Sequence, residues 1–186
     1  MTSSEIKRKA VRLLAGQDFS GMFGLYFLNL TRLKIGHRTF ITTVEEFEKT
    51  HPGLSADMGD QCTGAAVTVG GKHFIFYDPR RDDGAFSLLH EVGHILLGHC
   101  KDGTGDTEER EAEQFACEFL MPECVIRYLD ARNGKALSPE KFGMYFKGGM
   151  PMHLARRLEI DRRPPENPDE NENEIVRRLF AAEGNQ

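Results

Sequence analysis

The stretch that most restricts this chain is His90-Glu91-Val92-Gly93-His94, set inside the apolar run from Phe86 to His99. On an α-helix, residues i and i+4 share a face, so the two imidazoles can reach one metal ion. Glu91 follows the first histidine, where its carboxylate can meet a water held by that ion. Phe86, Leu88, Leu89, Val92, Ile95, Leu96 and Leu97 wrap the segment on most sides, which predicts a buried helix. A surface helix with solvated histidines is the plainer alternative, and this wrapping argues against it. Buried histidines and a buried glutamate need partners, and a metal ion provides one. Asp82 or Asp83 is the expected cap at the start, and Gly98 the expected stop.

A zinc site of this kind takes three protein ligands and keeps one position open. The next segment, Glu108 to Pro122, reads as a helix whose inward stripe is Ala112, Phe115, Ala116, Phe119 and Leu120. At 100° per residue, Glu109 projects about 60° from the centre of that stripe, and Glu111 and Glu113 about 100° away on opposite flanks. Glu109 is therefore the expected third ligand, with Glu111 and Glu113 as alternatives. Glu108 also points inward but belongs to the first turn. Glu113, one turn beyond Glu109, is a candidate to orient a ligand histidine through its second ring nitrogen. Glu111 and Glu118 are expected to be solvated charges. His99 competes as third ligand. However, the extended pattern with glycine three and histidine six residues after the second histidine is not met, because Gly98 and His99 come four and five residues after His94.

The run Phe86-Ser-Leu-Leu-His-Glu-Val-Gly-His-Ile-Leu-Leu-Gly-His99, followed by Glu109-Arg-Glu-Ala-Glu-Gln-Phe-Ala116 and Phe119-Leu-Met-Pro122, resembles the ImmA/IrrE family of metallo-endopeptidases. The chain departs from that pattern at Glu113, where the family usually has asparagine. The resemblance is specific from Phe86 to Pro122 and extends more weakly from about Ala10 to Ile160. It implies an α+β, zincin-like fold: a small sheet and hairpin packed on a metal-binding helix pair, with additional N- and C-terminal helices. It further implies one Zn2+ per chain held by His90, His94 and Glu109, with Glu91 as catalytic base. The implied substrate is a protein, a helix-turn-helix transcriptional repressor of a mobile element or stress response. Candidates to donate to the oxyanion are His99, His73, Tyr77 and Arg80.

Composition sets outer limits. The 186 residues, 39% of them hydrophobic, suit one domain with a tail, divided here into residues 1–160 and an acidic segment 161–186. The net charge of −5 gives no global footprint for nucleic acid, so direct binding to it is not expected. No apolar run approaches the roughly 20 residues that span a bilayer. Residues 1–15 lack a secretory apolar core, and the expected location is the cytoplasm. Cys62, Cys100, Cys117 and Cys124 lack paired metal-type spacing and are expected to stay reduced, Cys117 and Cys124 as packing residues. Cys62 or Cys100 near the zinc is a lesser alternative.

Along the chain, a helix is expected up to Ala15 with Ile6, Ala10, Val11 and Leu14 inward, and a second over Phe19 to Leu33 despite its glycines. A strand over Arg38 to Thr43 leads to a short helix capped by Thr43. His51-Pro-Gly is a turn, and Ser55 to Thr63 a loop. Ala65 to Val69, Gly70-Gly71 and Lys72 to Tyr77 form a hairpin. Its second strand either lines the cleft, as substrate-pairing edges do in zincins, or lies inside the sheet. Cys100 to Thr107 turns the chain back. Helices follow from Glu123 and from Ser138. Phe142 to Leu158, with Arg156 and Arg157, reads either as a helix-turn-helix or as two packing helices, and the acidic charge favours packing. Asp161 to Glu174 is expected to be disordered, before a short helix over Ile175 to Ala182. Two rival functions remain: a non-catalytic peptidase-like protein that captures a repressor or toxin, and, less favoured, a DNA-binding regulator.

Overall fold

The computed structural model describes residues 1–19, 24–36, 38–50, 64–99 and 105–181. The expected turn at His51, the Ser55–Thr63 loop, Cys62, Cys100 and most of the Cys100–Thr107 turn lie outside them. The fold is mixed α+β. Among the described residues it has eight α-helices and a three-stranded sheet, consistent with a zincin-like peptidase fold. They form two compact units, one of residues 1–6 and 29–116, the other of residues 7–28 and 117–186.

The first unit holds the sheet. Strand β1 (Thr39–Thr43) ends at Thr43, whose hydroxyl accepts from the Glu46 amide (3.1 Å) and starts helix α2 (Val44–Thr50). Strands β2 (Gly64–Val69) and β3 (Lys72–Tyr77) form the hairpin around Gly70-Gly71. The order is β1-β3-β2, with β1 parallel and β2 antiparallel to β3. β3 is thus the central strand. Both of its backbone edges are taken up by neighbours, which rules it out as a cleft-lining, substrate-pairing edge. Its buried residues Ile75, Phe76 and Tyr77 fit that inner position.

Helix α3 (Gly84–Leu97) packs on β2 and β3. It ends where Gly98 turns left-handed (φ 85°), a conformation that a Cβ disfavours. Asp83 occupies the N-cap position without a side-chain cap bond, because its carboxylate faces Arg81 (3.4 Å). Helix α4 (Asp106–Leu120) buries the expected stripe of Ala112, Phe115, Ala116, Phe119 and Leu120. A Cβ on Gly93 would stand 3.1–3.2 Å from the Ala112 backbone, so the glycine lets α3 and α4 approach closely.

Helix α1 (Ser3–Ala15), which enters the second unit at Lys7, buries Ile6, Ala10, Val11 and Leu14 as its pattern predicts. The helix expected over Phe19 to Leu33 is absent among the described residues, which form only short 3-10 turns at Leu25–Phe27 and Leu30–Arg32. Gly24 explains the break. It is left-handed (φ 75°), and a Cβ there would lie 2.8 Å from the Tyr145 Cα. Helices α5 (Glu123–Asn133), α6 (Pro139–Phe142) and α7 (Met150–Asp161) follow.

Helix α8 (Glu170–Phe180) begins five residues earlier than expected, because Asp169 and Glu172 form a reciprocal capping box. It packs against α5 and buries Ile175, Leu179 and Phe180, so the tail helix is docked. Arg178 donates to the Ala15 and Gln17 carbonyls (2.7 Å each). Lys7 joins Glu172 (3.0 Å) and Glu123 (3.6 Å).

A candidate metal centre on two helices

His90 and His94, one turn apart on α3, present Nε2 atoms 2.9 Å apart. Glu109 comes from the first turn of α4. One of its oxygens lies 3.1 Å from His90 Nε2, and the other 3.6 Å from His94 Nε2. Among the described residues these three form the group that could hold a metal ion, with ligand atoms all within 4.8 Å of one another. Zinc bonds of about 2.0–2.1 Å at tetrahedral angles require donors about 3.4 Å apart, a spacing that the three distances straddle. The donor set of two imidazoles and one carboxylate suits zinc. His94 is buried and His90 partly so (side chains 10% and 17% exposed), whereas Glu109 is 41% exposed. The group is therefore closed on the α3 side and open on the other, which leaves room for a fourth ligand.

Electrostatics favour metal-binding protonation states. Burial, and then the neighbouring His90, push the His94 imidazole below its usual range, so that it keeps a lone pair near neutral pH. Burial pushes the Glu91 carboxyl up; His90 opposes this and Glu109 adds to it. A carboxylate with a raised pKa is a better proton acceptor, which is the property a general base needs.

The other residues singled out by sequence fare differently. Glu113 is exposed on the outer face of α4 and has no place beside a histidine. The acidic residue beside a histidine is instead Glu111, which is buried and not solvated. His99 Nε2 lies 2.9 Å from Glu111 Oε2, and His99 Nδ1 lies 3.3 Å from His94 Nδ1. Glu111 Oε1 accepts from the Met1 ammonium, and this contact, with His99, holds the Glu111 carboxyl below the usual range against a smaller effect of burial. His99 thus neighbours His94 on the side of its Nδ1, away from the group itself. The sequence signal existed: a histidine just past the helix stop, and a second glutamate two residues after Glu109.

His73 pairs with the Thr68 hydroxyl (2.9 Å) on the neighbouring strand. Arg80 is exposed and held by Asp78 (2.9 Å). Tyr77 is buried, and burial raises its hydroxyl pKa. None of these three belongs to the group of potential ligands. Arg156 and Arg157, the basic residues of the helix-turn-helix alternative, are 1% and 7% exposed. Arg156 donates to Glu118, to Glu159 (2.8 Å) and to the Met121 carbonyl (3.0 Å). Arg157 pairs with Asp130 (2.7 Å) and Asp161. These side chains are packing elements, buried in ion pairs and not presented to solvent where a phosphate could meet them. Glu118, expected to be solvated, is buried as the partner of Arg156.

Against protein-family models, residues 34–160 match the IrrE N-terminal-like domain, Peptidase_M78. The match spans β1 to α7 and includes the whole histidine–glutamate group. Comparison with curated proteins and with solved structures gave no match.

Proposed function

Because this chain belongs to the IrrE N-terminal-like peptidase family, whose members are metallopeptidases, we propose that it is a zinc-dependent endopeptidase acting on a protein substrate. The observation that carries this reading is that His90, His94 and Glu109 each bring a ligand atom within 4.8 Å of the others, while the charges of His90 and Glu109 act on the Glu91 carboxyl. His90, His94 and Glu109 would hold the ion. Zinc bound there supplies Lewis acidity, which acidifies a water and polarises a substrate carbonyl.

The rest of the chemistry belongs to Glu91. Its carboxylate takes the proton of the attacking water and returns it to the leaving amine as the peptide bond breaks. The α3 helix fixes Glu91 next to His90, and burial keeps its basicity high. We take the substrate class to be a transcriptional repressor and the compartment to be the cytoplasm, on the strength of the ImmA/IrrE resemblance. No helix among the described residues is long and apolar enough to cross a membrane.

Elemental analysis of the wild type and Glu109→Ala tests the site, with about one zinc per wild-type chain and a loss in the variant expected. Glu91→Gln tests the chemistry. It is expected to retain zinc while cleavage of the repressor, followed by mass spectrometry, falls by about 10²–10⁴-fold. A Glu91→Gln protein that cleaves at the wild-type rate would remove Glu91 from the mechanism. A wild type that binds zinc and traps an uncut repressor would favour the capture protein instead.

A further inference from the structure

Helix α7 is turned inside out. A helix at the surface of a globular protein ordinarily hides its apolar side and shows charged residues to water. On α7 the buried residues include His153, Arg156 and Arg157, whereas Met150, Leu154 and Leu158 are 47%, 48% and 46% exposed. Those three follow one another at intervals of four residues and form one stripe, flanked by exposed Pro151 and Ala155. Met144, just ahead of the helix in sequence, is exposed as well. So is Tyr26, whose amide donates to the Tyr145 carbonyl (2.8 Å) and whose ring lies under the Lys147 ammonium (5.1 Å to the centroid). An exposed apolar surface of this kind marks an interaction site.

We propose that the outer face of α7 pairs with the same face of a second copy of this chain, antiparallel, with Leu154 at the twofold axis. The inference goes beyond the peptidase reading and does not depend on it. The stripe is symmetric about Leu154, with Met150 and Leu158 four residues to either side, so an antiparallel copy sets Met150 against Leu158 at both ends. Charge fixes the direction. Lys147 and the start of α7, whose N-cap Gly149 makes no side-chain cap bond, are the positive end. Asp161, three residues beyond Leu158 and about 20° from Leu154 around the helix, is the negative end. Its side chain is 51% exposed, although one oxygen accepts from Arg157. In the antiparallel pair Asp161 of one copy stands near Lys147 and the α7 start of the other, about 10 Å from the axis. In a parallel pair like ends would meet like. Arg162 projects about 80° from Leu154, off the stripe, and Arg163 is held by Glu159 (2.6 Å). A patch that serves both copies alike closes as a dimer. The inner ion pairs of Arg156 with Glu118 and of Arg157 with Asp130 hold the helix, so the face is already ordered before it pairs.

The test is the mass of the full-length protein in solution, read by analytical ultracentrifugation from about 1 μM to about 1 mM. A single helix pair buries less than about 1,200 Å², the size of weak and transient contacts, so the wild type should pass from one chain to two within that range. Leu154→Lys and Leu154→Glu each set like charges against one another on the axis, and each should weaken pairing by about 30-fold or more. Mixed in equal amounts, the two variants should pair with each other, because each supplies the charge that the other lacks. Met150→Lys/Leu158→Glu in one chain should pair more tightly than Met150→Lys alone, since the antiparallel direction sets the two new charges opposite. Val69→Lys changes another exposed apolar residue, in the first unit, and should leave pairing unchanged. All of these positions are exposed, so the variants should unfold at the wild-type denaturant midpoint.

A wild type that keeps the mass of one chain up to about 1 mM would overturn the self-pairing and leave the face to a helix of a different protein. A dimer that survives both Leu154 variants would overturn it as well, by placing the interface elsewhere. A mixture of the two Leu154 variants that stays monomeric would remove Leu154 from the axis. A Met150→Lys/Leu158→Glu protein that pairs more weakly than Met150→Lys would overturn the antiparallel direction.

Discussion

Two clusters of ionisable side chains, one in each unit, look alike in sequence and differ in how their groups are matched. The first gathers His90, His94 and Glu109. One ligand atom from each of the three lies within 4.8 Å of the others. The second gathers Glu118, Glu159 and Arg156, where the guanidinium spends its donors on both carboxylates and on the Met121 carbonyl. A cluster whose donor atoms converge in this way could hold a metal ion. A cluster whose charges are already matched inside the protein is a strut. Acidic residues on the single helix α4 serve both, Glu109 near its start and Glu118 near its end.

The sharpest way to break this comparison is to remove one carboxylate from each cluster. Glu118→Ala leaves Arg156, which is fully buried, short of its main partner, and it also removes the acceptor for the Glu123 amide (3.0 Å) at the start of α5. Breaking a buried ion pair from one side costs about 3–5 kcal/mol. Denaturant unfolding should show a loss of that size, with zinc still bound by the protein that remains folded. Glu109→Ala should do the reverse. Its side chain is 41% exposed, so the metal-free protein should unfold within about 0.5 kcal/mol of the wild type while zinc is lost. Equal stability losses in the two variants would mean that both clusters are struts.

A smaller effect is expected where the two helices of the metal group meet. Gly93→Ala places a methyl group 3.1–3.2 Å from the Ala112 backbone, against atoms that cannot rotate away. Alanine favours a helix over glycine by about 1 kcal/mol. Overpacking of about 1–3 kcal/mol should offset or exceed that gain. Because α4 must move to accommodate the methyl group, zinc affinity should fall along with stability. A Gly93→Ala protein that is more stable and binds zinc as tightly would show that the helix pair has slack.

Much of this was legible from sequence for local reasons. The i, i+4 histidines, the apolar stripe of α4, the Gly70-Gly71 hairpin and the α1 face depend on spacing alone. The projection that favoured Glu109 uses the same regularity. What was not legible depends on partners far along the chain. Glu111 and Glu118, seven residues apart on one side of α4, look like solvated charges because glutamate usually is one. They are buried because His99 and Arg156 reach them from 12 and 38 residues away. Glu113 had the better spacing for orienting a ligand, one turn beyond Glu109, yet it lies on the outer face. The missing helix over Phe19 to Leu33 has the same kind of cause. Its apolar pattern is helical, but the close approach of Tyr145 fixes Gly24 in a conformation that ends the turn.

The smallest effect belongs to a third arrangement, intermediate between the two clusters, in which Glu123 meets Arg127 (2.6 Å) and Lys7 (3.6 Å). Burial raises the Glu123 carboxyl pKa, but the Arg127 hydrogen bond and the Lys7 charge outweigh it, and the net shift is downward. A carboxylate with a folded-state pKa below its unfolded value stabilises the fold above the unfolded value. That contribution is lost as pH falls through the folded one. Glu123→Gln should therefore cost on the order of 1 kcal/mol near neutral pH, since the amide keeps a hydrogen bond to Arg127 but loses the charge. The cost should shrink on acidification below the ordinary carboxylate range, until wild type and variant unfold together. A difference that holds constant to low pH would mean that Glu123 acts through packing alone. It would also mean that charge matching matters in this unit only where, as at Arg156, burial is complete.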